Sequence, residues 1–298
     1  SVTGVQTCAR PIFPSAADDG KAQPIEHIFT ITGVLKRVFG LGDRQAALLR
    51  DAMKEAFEKH GVDPQKWVQA DSIRAPSFNE VVAILEEQKE QRNATAISLL
   101  DRVSPLFELG LFPSTHELEV PFETMLDERL VLSLFELPTD EIKAALAELI
   151  VIRLHGYLVR GAQPRRLTRL LVLDEAWRVA SSKHLENLAR EGRAFGVGIA
   201  IGTQYPGDLP PDLAGSLATR IFLKNQQPDH KKAVVRAVTG SASGAQSQEV
   251  HEFLERQEMF QGLIQNQQYA PYAAFKLVPY YARERGEEEP GGTGTLGR

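Results

Sequence analysis

Between Ile28 and Leu109 the apolar residues recur at three- and four-residue spacing. Ala47, Leu48, Ala52, Met53, Ala56 and Phe57 form one stripe, and Gly61 follows where such a helix stops. Gly40-Leu41-Gly42 breaks the run and leaves Asp43 as the N-cap candidate of the long helix. Ser77, with Glu80 three residues on, makes a capping box ahead of Val81, Val82, Ile84 and Leu85. The pattern predicts three or four helices in an all-α block over residues 27–110. Ahead of it, Pro14, Asp18, Asp19, Gly20 and Pro24 follow no period, so residues 1–26 are expected to be an unstructured lead-in.

After Leu111 the texture changes to alternating strands and helices. Leu130 to Leu137 reads as a strand ended by Pro138, and Asp140 and Glu141 open a long helix that runs to Arg160 and stops at Gly161. Leu170 to Leu173 is apolar at every position, which predicts a strand buried on both faces. A helix over Lys183 to Phe195 is expected to close at a left-handed Gly196. Val197 to Ile201 and Arg220 to Leu223 supply strands, Asp229 to Val238 a helix ended by Gly240, and Ala273 to Val278 a last strand. Strands alternating with helices predict an α/β core with a mainly parallel sheet over residues 111–282. The charged and then glycine-rich residues 283–298 are expected to be a disordered tail.

Composition narrows the classes of function. A chain of 298 residues, 43% hydrophobic and 24% charged, has a core, which excludes disorder throughout. No apolar run approaches the roughly 18 residues of a spanning helix, so no membrane insertion is expected. Lys and Arg number 34 against 39 Asp and Glu, a net charge of −5, so any nucleic-acid contact must be a local patch. Arg153, Arg160, Arg165, Arg166 and Arg169 are the nearest to one, and a solvated loop ahead of a strand explains them better. Cys8 is the one cysteine, which fits a reducing compartment, the cytoplasm, and excludes cysteine-ligated zinc. The seven histidines lack ligand spacing.

The chemistry concentrates at Leu170-Leu171-Val172-Leu173-Asp174-Glu175, where an apolar strand delivers two carboxylates at its C-terminal edge. Open α/β sheets bind ligands at that edge, and adjacent carboxylates there suit Mg²⁺-nucleotide chemistry. Taken alone, the same pattern also describes a strand that ends in a polar turn. The next strand ends in Gly202-Thr203-Gln204, which brings a hydrogen-bonding side chain to the same edge. Between them stand Arg190, Glu191, Gly192, Arg193, Phe195, Gly196, Val197 and Gly198.

This combination, continued by Asp208-Leu209-Pro210, Ala218-Thr219-Arg220-Ile221 and Val278-Pro279-Tyr280-Tyr281, resembles the HerA-like and FtsK-like P-loop ATPases over residues 25 to 282. The resemblance implies a RecA-like P-loop NTPase core, with the N-terminal helices as an insertion. It implies ATP and Mg²⁺ as cofactors, with Asp174 ordering Mg²⁺ through water, Glu175 as catalytic base and Gln204 as the sensor of the γ-phosphate. Arg193, with Arg190 as second choice, is similar to the arginine that such hexamers insert into the neighbouring subunit's site. A solvated helix end also explains both arginines. The implied assembly is a homo-hexamer with DNA in its pore and a nuclease or secretion partner.

Two departures qualify the resemblance. Trp177 stands where these ATPases often carry His or a small residue. The phosphate cradle Gly-x-x-x-x-Gly-Lys-Ser/Thr is not in the chain, and Gly292-x-Gly294-x-x-Gly297 opens no predicted helix and counts as chance. Ser1 to Ile12 resembles the translated read-through of a sequencing adapter. The simplest reading joins the two observations: residues 1–12 are an artefact, and the chain is a fragment of a motor whose P-loop lies upstream, inactive by itself. The rivals are a type IV secretion or conjugation ATPase and a non-catalytic oligomerisation or partner-binding module on the same fold.

Overall fold

The structure, a computed structural model, describes residues 21–69, 75–109, 126, 129–160, 164, 166–176, 179–279 and 281. The expectations for residues 1–20, Arg165, Trp177, Tyr280 and 283–298 lie outside these. The chain divides into two compact units. One takes in the described residues up to Thr168 with Ser182–Leu188 and Arg193–Val197; the other takes in Arg169–Ser181, Ala189–Gly192 and the described residues from Gly198 on.

The first unit is helical, with α1 (Pro24–Val38), α2 (Asp43–Lys59), α3 (Phe78–Glu90), α4 (Ala94–Glu108) and α5 (Asp140–Arg160). A short antiparallel pair, β1 (Lys21–Ala22) and β2 (Val68–Gln69), lies beside them in sequence. Structure thus begins inside the segment expected as lead-in. The α2 stripe buries Leu49, Ala52, Met53, Ala56 and Phe57 against Ile28, Ile31 and Leu35 of α1, Leu85 of α3, Leu99 and Leu106 of α4, and Ile142 and Leu146 of α5. α5 therefore shares its core with the helices, and the expected break near residue 110 is not where the compact units part. Glu148 of α5 is buried in this unit and paired with Arg37 of α1. A buried carboxylate needs such a partner.

Helix ends follow local chemistry. α2 begins one residue differently from expectation: Gly42 is its N-cap, Asp43 its first helical residue, and the Gly42 N–H donates to Gln45 Oε1 at 2.8 Å. The α3 capping box forms as its sequence predicts, with Glu80 N–H on Ser77 Oγ at 3.3 Å and Ser77 N–H on Glu80 Oε2 at 2.6 Å. His60 Nε2 lies 2.6 Å from Glu80 Oε1. Partial burial opposes ionisation of Glu80, but the hydrogen bonds from Ser77 and His60 outweigh it and hold the carboxyl below its ordinary 4.5. A carboxylate with a depressed pKa stabilises the fold above its unfolded value and loses that contribution as the pH falls through the folded one. The denaturation midpoint of the chain is therefore expected to fall below about pH 4.5, and Glu80→Gln to flatten that part of the curve. Chemical denaturation from about pH 6 to pH 3 checks this; an unchanged curve in the variant contradicts it.

Leu130 to Leu137 is not a strand. Val131 and Phe135 are 71% and 87% exposed, while Leu134 and Leu137, three residues apart, pack on the helical core across a turn. Among the described residues no helix is long and apolar enough to cross a membrane.

The strands that follow are β3 (Arg169–Leu173), β4 (Val197–Ile201), β5 (Arg220–Leu223), β6 (Gln261–Gln265) and β7 (Ala273–Lys276). The helices among them are α6 (Lys183–Glu191), α7 (Pro211–Ser216), α8 (Pro228–Thr239) and α9 (Ala245–Arg256). β3 pairs with β4. Hydrogen bonds link Thr168 to Gly196 at one end of the pair and Leu173 to Gly202 at the other, so the two strands run parallel. A single crossover containing α6 joins them, as a parallel pair requires. α6 ends at Glu191, short of the expected Phe195, and a turn leads to Gly196 at φ +66°, where a Cβ would run into Pro164.

β5, β6 and β7 form a separate antiparallel sheet, which corrects the expectation of a mainly parallel one among the described residues. Connection lengths give the reason. Seven residues separate β6 from β7, fewer than a parallel crossover needs, and the α8–α9 pair returns the chain to the end of β5 that it left. Phe222, Leu263 and Ala274 stand in one row across this sheet and pack under Val234, Val235, Val238, Val250 and Leu254. Gly240 closes α8 in the left-handed conformation, as expected. β3 is not buried on both faces: Leu170 and Val172 are 61% and 64% exposed.

Candidate functional site

The site lies where the parallel pair β3–β4 ends. Asp174 and Glu175 follow the last residue of β3, and Gly202, Thr203 and Gln204 follow the last of β4. Both ends are fixed through one glycine. The Gly202 N–H donates to Leu173 C=O at 2.8 Å, and Gly202 C=O accepts from Ala176 N–H at 3.0 Å, so Gly202 grips the chain on both sides of the carboxylate pair. A Cβ on Gly202 would stand 3.2 Å from Asp174 Oδ1. The glycine leaves that oxygen room.

Glu175 adopts φ +53°. The left-handed region costs an L-residue roughly 1–2 kcal/mol. Its N–H donates to Asp174 Oδ1 at 3.1 Å, which occupies one oxygen of Asp174 and helps hold the turn. The Glu175 carboxylate is exposed, and Gln204 Nε2 donates to its Oε1 across 3.4 Å, a long hydrogen bond.

The loop after Gln204 is pinned by side chains. Thr203 Oγ1 donates to Asp208 Oδ2 at 2.9 Å, and Asn225 Nδ2, just beyond β5, donates to Gln204 C=O at 3.3 Å. Tyr205 stacks on His230 with ring centroids 4.3 Å apart. Of the residues expected at the site, the structure brings Asp174, Glu175 and Gln204 together. Arg190 is exposed in the last turn of α6, and Arg193 is exposed in the turn beyond it. Gly202, Thr203, Asn225 and His230 were not among the expected site residues. Only Gly202 and Thr203 carried a signal, their place directly after an apolar strand.

The donor set suits a hard cation. Asp174 offers an exposed carboxylate at the mouth of two parallel strands, and Mg²⁺ binds through one or two carboxylates while keeping most of its waters. Glu175 and Gln204 form a base and an amide side by side, a combination able to take a proton from a water and to orient it.

No family model matches the chain. Over 75 residues it is 37% identical to the probable DNA double-strand break repair helicase HerA of Methanocaldococcus jannaschii, a match covering 23% of this chain and 15% of that protein. Over 153 residues it is 28% identical to the DNA double-strand break repair helicase HerA of Pyrococcus furiosus, covering 49% of this chain and 26% of that one. The chain thus spans a small part of the curated relatives it matches. Its fold is similar to that of VirB4 of Thermoanaerobacter pseudethanolicus, with a TM-score of 0.65 and 18% identity, over 93% of this chain and 76% of that one. The chain is thus similar in sequence to part of the HerA helicases and in fold to VirB4, within a mixed α/β architecture.

Proposed function

We propose that the chain is the part of a P-loop ATPase motor that carries the metal-ordering and water-activating residues, from a protein similar to the HerA-type DNA translocases. The observation that carries this reading is the convergence of Asp174, Glu175 and Gln204 at the C-terminal ends of two parallel strands, with Gln204 on Glu175. Such a site acts on a phosphoryl group by positioning and electrostatics. Mg²⁺, when bound, would neutralise phosphate charge. Asp174 would hold it through water, Glu175 would accept the proton of the attacking water, and Gln204 would fix the direction in which that carboxylate points.

Arg193 is the residue proposed to complete a neighbouring subunit's site in a ring, with Arg190 second. A cation that serves another subunit must be exposed on its own, as Arg193 is. An arginine supplied in this way is worth about 10³ to 10⁵ in rate. DNA in the ring pore is the substrate proposed from the likeness to the HerA helicases. The phosphate cradle would come from a segment of the full-length protein outside this chain.

The test uses the full-length protein. Turnover of Mg·ATP, stimulated by duplex DNA, is expected. Full-length Arg193→Ala and Glu175→Gln subunits should each be inactive alone and regain turnover when mixed, because one kind of interface in a mixed ring then combines an intact Glu175 with an intact Arg193. No recovery on mixing would show that Arg193 does not act across subunits, and recovery with Arg190→Ala in its place would reassign the role.

A further inference from the structure

We infer that Asn225 is a positioning residue for this site, holding Gln204 against Glu175, and that its amide sets the tautomer of the His230 imidazole. For its catalytic meaning the inference rests on the ATPase reading above; the geometry itself does not depend on it.

Each hydrogen-bonding group of the Asn225 side chain has an assigned partner. Oδ1 accepts the Gln227 N–H at 3.0 Å. Of the two hydrogens on Nδ2, one reaches Gln204 C=O at 3.3 Å and the other His230 Nδ1 at 2.6 Å. A primary amide has two donors on one end and an acceptor on the other, so this set fills it in one sense only. Turning it over would face Oδ1 to the Gln204 carbonyl and the NH₂ to the Gln227 N–H, two like-against-like contacts in place of two hydrogen bonds.

The histidine is determined in turn. Accepting from Asn225 requires Nδ1 to be bare, so the proton of a neutral ring sits on Nε2. Tyr205, the residue next to Gln204, stacks on this ring at 4.3 Å with 34° between the planes. Gln204 is therefore held from two sides: its carbonyl by Asn225, and its chain neighbour by the ring that Asn225 touches. Its side chain is left to meet Glu175 at 3.4 Å. The Gln204–Glu175 bond is long and exposed, and such a bond keeps its direction only if the backbone beneath it does not move. β5 and α8 thereby set the aim of a side chain that follows β4.

Nuclear magnetic resonance on this chain and kinetics on the full-length protein test the proposal. At about pH 8, where an ordinary imidazole is neutral, the ring nitrogens of His230 should show Nε2 protonated and Nδ1 bare. Protonated Nδ1 overturns the assignment without any variant. The Gln204 side-chain amide resonance, identified by its loss in Gln204→Ala, should move in both Asn225→Ala and Asn225→Asp, while the methyls of Val234, Val238 and Leu254 keep their positions and report an intact core. An unmoved Gln204 amide overturns the proposal. In the full-length protein Asn225→Asp, equal in size but without the two donors, should lower kcat roughly tenfold, the worth of one such hydrogen bond, with KM for ATP unchanged. Turnover that depends on Glu175 but ignores Asn225 refutes the positioning role. A Gln204 amide displaced in the Asn225 variants, with no ATPase activity in the wild-type full-length protein, instead refutes the ATPase reading and leaves the geometry standing.

Discussion

Full-length protein carrying Glu175→Gln is expected to turn over Mg·ATP about 10² to 10⁴ times more slowly than the wild type, the range that a positioned general base supplies. The substitution preserves size and can still meet Gln204, but an amide cannot take up the proton of an attacking water. Binding should survive because Asp174, which lies outside the substitution, is the residue proposed to order the metal. Titration with a fluorescent ATP analogue beside a steady-state phosphate-release assay separates the two. Near-wild-type binding with lost turnover is the expected pair of results. Turnover within threefold or so of the wild type would remove Glu175 from the mechanism, since effects of that size lie below what a general base contributes.

Phe57→Ala should destabilise the helical unit by about 3–5 kcal/mol. Phe57 is fully buried on α2 in the core to which α1 to α5 all contribute. The loss combines the transfer energy of the ring with the contacts its cavity forfeits, because neighbours such as Met53 and Leu49 relax only in part. The effect is a large share of the 5–15 kcal/mol by which domains are ordinarily stable. Phe135→Ala is the matched control, since that ring is 87% exposed and its removal should shift the denaturation midpoint hardly at all. Equal shifts for the two substitutions would mean that Phe57 is not at the centre of the core.

These two phenylalanines mark how far the sequence could be read. Phe57 stands in a stripe repeated over several turns, and a period sustained that long leaves one answer. Phe135 stands in the mostly apolar eight-residue segment LVLSLFEL, which suits a strand equally well; in the structure Leu134 and Leu137 pack on the helical core across a turn. The strand ends bearing Asp174, Glu175 and Gln204 were legible because polar residues directly follow apolar strands. Strand direction in β5–β7 was not, because it depends on how the connections return and not on the strands' own residues. Asn225 was invisible for a similar reason: its partner is a main-chain carbonyl 21 residues away, and a carbonyl has no residue type to recognise.

Glu175 is one of three non-glycine residues, with Arg92 and Phe260, that adopt the left-handed backbone among the described residues. Glycine adopts that conformation at no steric cost, and asparagine at less than glutamate. Were the chain shaped for durability alone, either would displace the glutamate at the first opportunity. On the reading of Glu175 as the base, a thermostabilised descendant with glycine at position 175 would gain comfort there and lose the carboxylate on which the proposed chemistry depends.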